Sequence, residues 1–236
     1  MRANGGLTPP APLSLDTANG AVSSGRGGRT AAVLALLLLA IVAHAEPFAF
    51  DFSDPAALEA VTLDGRQSAR TEEGHVLLRG GSSMYVTQAT GPGVYHMRFS
   101  MIEAEKFQYH VPGLELFKAD AADPASDGYA INWQPWGMIT LTAMIDGERV
   151  YSREFIHPGR DNPNRYESGE PVDMTLRVPP EGDCVEVYAH RTEAEGEPTC
   201  RFKLLEEMPL EGHFGWRNTK WYSHAAIHQL SFQPAE

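Results

Sequence analysis

The chain holds only two cysteines in 236 residues, Cys184 and Cys200, so its core must stand without a disulfide framework. It is short of positive charge as well, with 19 Lys and Arg against 31 Asp and Glu and a formal net charge of −12. Such a surface repels phosphate backbones, which argues against nucleic acid and, unless a local basic patch overrides the mean field, against polyanionic ligands. No internal repeat is visible, which excludes a propeller or solenoid. Gly-x-Ser-x-Gly, a phosphate loop, a dinucleotide fingerprint and His-Glu-x-x-His are all missing, so the chain shows none of these ready-made reaction motifs. Nor does it carry the uninterrupted stretch of about 20 apolar residues that spans a bilayer.

The longest apolar run is Ala31–Ala45, AAVLALLLLAIVAHA, preceded by Arg26 and Arg29 and ending on the small-x-small triplet Ala43-His44-Ala45. A positive flank, a short apolar core and small cleavable residues are the parts of a secretory signal. Residues 1–45 are therefore expected to be a signal peptide with a disordered Gly-, Ser-, Pro- and Ala-rich n-region, and 46–236 the mature domain. A retained N-terminal anchor is the competing reading. No cysteine sits at the cleavage position and no adjacent Arg pair precedes the run, which disfavours lipoprotein and twin-arginine routes. The expected location is periplasmic or secreted, with no stable membrane span in the mature chain.

Beyond Glu46 the sequence alternates with period two. Phe48, Phe50 and Phe52 share one face of a strand, and Tyr95, Met97, Phe99 and Met101 oppose His96, Arg98 and Ser100. Ile139, Leu141, Ala143 and Ile145 repeat the pattern, as do Val172, Met174, Leu176 and Val178. This is the mark of sheets with one face in a core. Asp146-Gly147 between two such runs is a two-residue hairpin signal. Asp54, able to cap, and Pro55 open the one helical hint, expected as a short surface helix. About a dozen strands and so little helix predict an all-β, two-sheet antiparallel sandwich or jelly roll.

The cysteines fall on opposite faces of this pattern. Val185, Val187 and Ala189 form an inward set that leaves Cys184 outward, whereas Cys200, Phe202 and Leu204 point inward. With Glu193–Pro198 as the hairpin loop, Cys200 is expected opposite about residue 191, far from Cys184 along the ladder at roughly 3.3 Å per residue. Two free thiols are predicted, because bridged Cα atoms lie within about 7 Å.

The order of features also carries a resemblance. A Phe50-Asp51-Phe52 strand is followed by Glu73-Gly74-His75-Val76-Leu77-Leu78 and by Gly93-Val94-Tyr95-His96-Met97-Arg98-Phe99. The chain closes on Gly212-His213-Phe214-Gly215-Trp216-Arg217 before a strand ending at Phe232. This resembles the concanavalin A-like lectin/glucanase superfamily, particularly its laminin-G-like and 3-keto-disaccharide-hydrolase-like branches. The resemblance implies a concanavalin A-like jelly roll in which the closing segment leads into a terminal strand beside the first. Fold alone does not give function.

Retaining endoglucanases of that superfamily carry Glu-x-Asp-x-Glu on one strand, and no such string is present here. Glu103-Ala104-Glu105 and Glu206-Glu207 are the nearest paired acids and read as solvated turns. His224 and His228 are four apart on an expected strand rather than a helix, so they do not make a zinc pair. Asp120, Asp123 and Asp127-Gly128 form an acidic loop whose oxygens could hold Ca²⁺, but it lacks the strict calcium-loop spacing and a solvated loop is the favoured reading. No metal or other cofactor is otherwise expected.

Aromatic and fork-donor clusters are the stronger signal. Trp133, Gln134 and Trp136 join two strands, and Trp216, Arg217, Asn218, Trp221 and Tyr222 join the closing strands. Arg160 and Asn164 lie in a long polar loop, residues 157–166. Sugars lay flat C–H faces on aromatic rings and pair their hydroxyls with Asn, Gln and Arg. These ten residues are the candidate ligand contacts, with carbohydrate the expected partner; the competing reading is that the rings plug the ends of the sandwich. An exported glycan-recognition module is the favoured expectation. A carbohydrate-active enzyme of keto-disaccharide-hydrolase or polysaccharide-cleaving type would draw its acid–base residues from Tyr109, His110, Glu115, His157 and Arg165. A laminin-G-like protein-interaction module is the third alternative.

Overall fold

A computed structural model describes residues 45–236 apart from 66–68, 71–73, 103–111, 124, 160 and 219–223. The leader assigned to residues 1–45 thus lies, Ala45 apart, outside the described residues. So do Tyr109, His110, Arg160, Trp221 and Tyr222.

Among the described residues fifteen strands follow one another: β1 (Phe48–Asp51), β2 (Val61–Asp64), β3 (Ala69–Arg70), β4 (Val76–Leu78), β5 (Ser83–Val86), β6 (Gly93–Ile102), β7 (Pro112–Lys118), β8 (Gly128–Trp133), β9 (Ile139–Ile145), β10 (Glu148–Phe155), β11 (Val172–Val178), β12 (Cys184–Ala189), β13 (Cys200–Lys203), β14 (His213–Asn218) and β15 (His224–Pro234). They form two antiparallel sheets. The eight-stranded sheet runs β13-β12-β11-β6-β15-β4-β3, with β1 also on β15, and the seven-stranded sheet runs β10-β9-β8-β7-β14-β5-β2. The last strand does return beside the first, with Phe48 opposite Phe232 and Phe50 opposite Leu230.

The alternation read from the sequence sets the layers. Tyr95, Met97, Phe99, Met174 and Leu176 from one sheet meet Leu114, Ile131, Leu141, Phe214 and Trp216 from the other, all fully buried. The expected helix is a short 3₁₀ helix, Pro55–Ala60, whose capping Asp54 carboxylate accepts from the Ala56 N–H at 2.9 Å. Asp146 and Gly147 adopt φ of 52° and 75°, the paired left-handed conformation that matches a two-residue turn to the twist of its strands.

Both thiols are free, Cys184 half-buried and Cys200 buried. The expected register needs one correction, since Cys200 pairs with Val187 and Cys184 with Lys203. The loop is longer than the Glu193–Pro198 segment because Arg191 already leaves the ladder, its guanidinium donating to the Glu195 and Glu197 carbonyls at 2.9 Å. Burial pushes the Cys200 thiol up to about 12, so it stays protonated and inert at neutral pH. Among the described residues no helix is long and apolar enough to cross a membrane.

Candidate functional site

On the outward face of the seven-stranded sheet, strand register lines side chains up in rows. One row runs Asp64, Ser83, Arg217, Gly113, Asn132, Thr140 and Glu154. The next runs Thr62, Tyr85, Gly215, Glu115, Ala130, Thr142 and Ser152. The middle of this face is polar yet sheltered: Tyr85 is fully buried and Glu115 only 4% exposed, while Asn132 and Arg217 are half-buried.

Two local devices build the centre. The first is Gly215, which sits in the ladder between Tyr85 and Glu115. A Cβ there would lie 2.0 Å from the Met84 carbonyl and 2.6 Å from the Tyr85 ring. Its absence lets the tyrosine ring lie across β14, and the Tyr85 hydroxyl donates to Glu115 Oε2 on β7. The second is a bulge. Gly215 pairs with Glu115 but His213 pairs with Lys118, so β7 spends three residues where β14 spends two. Phe117 takes up the extra residue at φ 54°, a conformation costly for a bulky side chain. Its ring is held in the core against Tyr95 and Tyr129. The bulge brings Lys118 round toward Glu115, with Nζ 3.8 Å from Oε2, and that ammonium also donates to the Ser126 carbonyl. Bulges that re-aim a side chain in this way are frequent at functional sites.

Burial raises the Glu115 carboxyl above its usual range, outweighing Lys118, the Tyr85 hydrogen bond and Arg217, which all pull it down. Burial likewise lowers Lys118, with Glu115 opposing. It raises the Tyr85 phenol, reinforced by Glu115. The arrangement is a buried carboxyl that accepts from a phenol, with the Lys118 ammonium beside it and the Arg217 charge acting on it. Because the folded carboxyl titrates above its ordinary value of 4.5, the unfolded chain ionises first as pH rises, and the group's contribution to stability falls through that window. Glu115→Gln keeps an acceptor for Tyr85 but cannot ionise. Denaturant titrations of both proteins at pH 4 and pH 7 should therefore show wild type losing stability relative to the variant at the higher pH. A relative gain would mean that Lys118 and Arg217 outweigh burial.

Of the sequence candidates, Glu115 and Arg217 belong to this cluster. The structure also joins the Trp133–Gly137 segment to the 157–166 loop. Trp133 Nε1 donates to the Asn164 carbonyl at 2.7 Å, Tyr166 donates to the Trp133 carbonyl at 2.8 Å, and Asn162 Nδ2 donates to the Trp136 carbonyl at 3.0 Å. Five of the candidates are buried. Trp133 and Trp216 are strand residues with no exposure, packed around Phe99 at 6.2 and 4.7 Å, and Gln134, Asn164 and Asn218 are buried beneath or beside them. The Trp216 indole is satisfied by Asn218 Oδ1 at 2.9 Å, and Asn218 Nδ2 donates to the Leu78 carbonyl at 2.7 Å. These groups tie the strands and the 157–166 loop together. Trp136 differs, standing 40% exposed on the β8–β9 turn.

His157 is half-buried, its Nδ1 accepting from the Gly159 N–H at 3.1 Å, and Arg165 is exposed on the same loop. Neither joins the Glu115 cluster through a hydrogen bond or ion pair among the described residues. Asp120, Asp123 and Asp127 each accept from a nearby backbone N–H, at 2.8, 2.9 and 2.7 Å. Among the described residues no three His, Cys, Asp or Glu converge as metal ligands. Tyr85, Lys118 and Asn132 were not legible as site residues, since Tyr85 reaches Glu115 across β14 from β5, Lys118 turns toward it only through the bulge at Phe117, and Asn132 joins the face through its pairing with Gly113. The glycine at position 215 is the sequence trace of that crossing.

No family model and no curated protein sequence matches the chain; the similarity is one of structure. The carbohydrate-binding module CBM66 from Bacillus subtilis superposes with a TM-score of 0.54 at 15% identity, over 74% of this chain and 96% of that one. The Bacillus licheniformis β-glucanase gives 0.54 at 10% identity, over 79% and 97%. The metal-free carbohydrate recognition domain of Emp46p gives 0.53 at 12%, over 76% and 90%. Two antiparallel sheets and these neighbours show that the chain shares the β-sandwich fold of those three proteins.

Proposed function

We propose that the chain is an exported carbohydrate-recognition module that binds glycan on the outward face of its seven-stranded sheet. The observation that carries this reading is the pair of rows on that face, in which the half-buried Arg217 and Asn132 offer polar groups beside the buried Tyr85–Glu115 pair, with the exposed Trp136 ring on the turn that joins β8 and β9. Binding sites for sugars need such convergent polar groups on a rigid scaffold beside an apolar ring face. Solved neighbours named for carbohydrate binding agree with it, as does the signal-like segment at residues 31–45 with export.

One observation favours an enzyme, namely the buried carboxyl of Glu115, which accepts from the Tyr85 hydroxyl and which burial shifts above its usual range. Glycoside hydrolysis needs a second carboxylate, about 5–5.5 Å away for retention or 6.5–9.5 Å for inversion. In the two rows the other acids are Asp64 on β2 and Glu154 on β10. Each lies three strands from Glu115, roughly 14 Å at about 4.8 Å per strand. A glycan array on residues 46–236, followed by a product assay on whatever binds, tests both readings. Binding without cleavage of β-glucans is expected, and Arg217→Ala or Asn132→Ala should weaken it. Turnover lost on Glu115→Gln would replace the binding module with the hydrolase.

A further inference from the structure

The opposite, eight-stranded sheet has an outward face of its own, and register again places its side chains. Asp51, Gln229, Arg98 and Asp173 run in one row across β1, β15, β6 and β11. Ala49, Ser231, His96 and Thr175 run in the next. Ala49 and Ser231 are small and adjacent, whereas Asp51, Gln229 and His96 around them are larger. The sheet surface therefore drops between them, and a cleft of about 230 Å³ opens there. Small-molecule sites begin at about 300 Å³, so this depression suits one ring rather than a chain.

Its walls are chemically mixed. Gln229 Nε2 donates to Asp51 Oδ2 at 3.2 Å, and Asp51 Oδ1 accepts from the Ser53 N–H at 2.9 Å. These contacts hold the carboxylate in place and keep it ionised, its pKa lowered chiefly by the Ser53 backbone hydrogen bond. His96 Nε2 lies 2.9 Å from Asp173 Oδ1, and Arg98 lies 3.7 Å from Asp173 Oδ2, so the second carboxylate is answered by two basic groups. A fixed carboxylate acceptor, a primary amide, a hydroxyl and an imidazole around a shallow floor match a ring whose neighbouring hydroxyls both donate and accept. The ionised Asp51 on the rim repels an anionic ring. Resting on the carbohydrate reading above, we propose that this depression is a second carbohydrate site, which takes a single neutral pyranose such as the terminal residue of a glycan.

The test uses the methyl pyranosides of glucose, galactose and mannose, with the corresponding uronates as the charged comparison, read by amide and side-chain NMR shifts on the isotope-labelled chain. Saturable movement of the Gln229 side-chain amide by at least one neutral pyranoside, and not by its uronate, is expected. Ser231→Phe fills the depression from a solvent-facing position and should lower that affinity tenfold or more. Gln229→Ala should do the same without adding bulk, and carries the test if the phenylalanine variant does not fold. Arg217→Ala, on the other sheet, should leave it unchanged. An unmoved Gln229 amide overturns the second site. If the Asn132 amide still responds, the main reading survives that failure; if neither responds to these sugars or to any arrayed glycan, both fall. Affinity at Gln229 that ignores both substitutions would also overturn the assignment.

Discussion

Gly215→Ala should be the most damaging single-methyl change in the described residues, costing more than about 3 kcal/mol, the upper end of the usual overpacking range. The new Cβ would meet the Met84 carbonyl oxygen at 2.0 Å and the Tyr85 ring at 2.6 Å. The first obstacle is backbone in the adjacent strand, so rotamer change cannot relieve it. Gly215 pairs with Tyr85 on one side and Glu115 on the other, and separating β14 from β5 to make room breaks ladder hydrogen bonds in the centre of a sheet. The Tyr85 ring would also be pushed off its path to Glu115, leaving a buried carboxyl short of a donor. Urea denaturation followed by tryptophan fluorescence gives the measurement. A loss under about 1 kcal/mol would mean that the two strands slide apart easily and that the Tyr85–Glu115 contact is not held by the ladder.

How far the sequence reaches is visible in the same residues. Period-two alternation is a local property, so Tyr95, Met97 and Phe99 could be assigned to the core from their own strand, and the turn at Asp146-Gly147 from its own dipeptide. The Glu115 cluster is not local. Alternation along β7 places Glu115 outward but also predicts Lys118 on the opposite face; only the extra residue at Phe117 returns it. Nothing in a run of Leu116-Phe117-Lys118 announces a bulge, because the strain of its positive φ is repaid by core contacts with Tyr95 and Tyr129, far away in sequence. The tryptophans fail for a related reason. Trp133 stands beside Gln134-Pro135, which reads as a turn, yet it is the last inward residue of β8. Its indole N–H has a partner only because Asn164 arrives from another loop. A turn-flanking aromatic looks the same in sequence whether its partner is solvent, sugar or a distant carbonyl.

Trp133→Ala and Trp136→Ala should therefore separate, although the two residues are three apart. Trp133 is fully buried, lies 5.0 Å from the Tyr166 ring and 6.2 Å from Phe99, and bonds the Asn164 carbonyl. Its truncation opens a large cavity and orphans a buried carbonyl, a loss of about 3–5 kcal/mol for an aromatic of this size. That is a large part of the roughly 5–15 kcal/mol that holds a typical domain together. Trp136 is 40% exposed and attached to the 157–166 loop through its backbone carbonyl, which accepts from Asn162; alanine keeps that bond. Its loss should move stability by less than about 1 kcal/mol but weaken glycan binding by about 1–3 kcal/mol if the ring is an anchor. The paired measurement is a denaturation midpoint and a binding titration on each variant. Trp136→Ala that destabilises as much as Trp133→Ala would make both rings end plugs and remove the aromatic wall from the proposed site. A stable Trp136→Ala with unchanged affinity would leave Arg217 and Asn132 to hold the glycan without it.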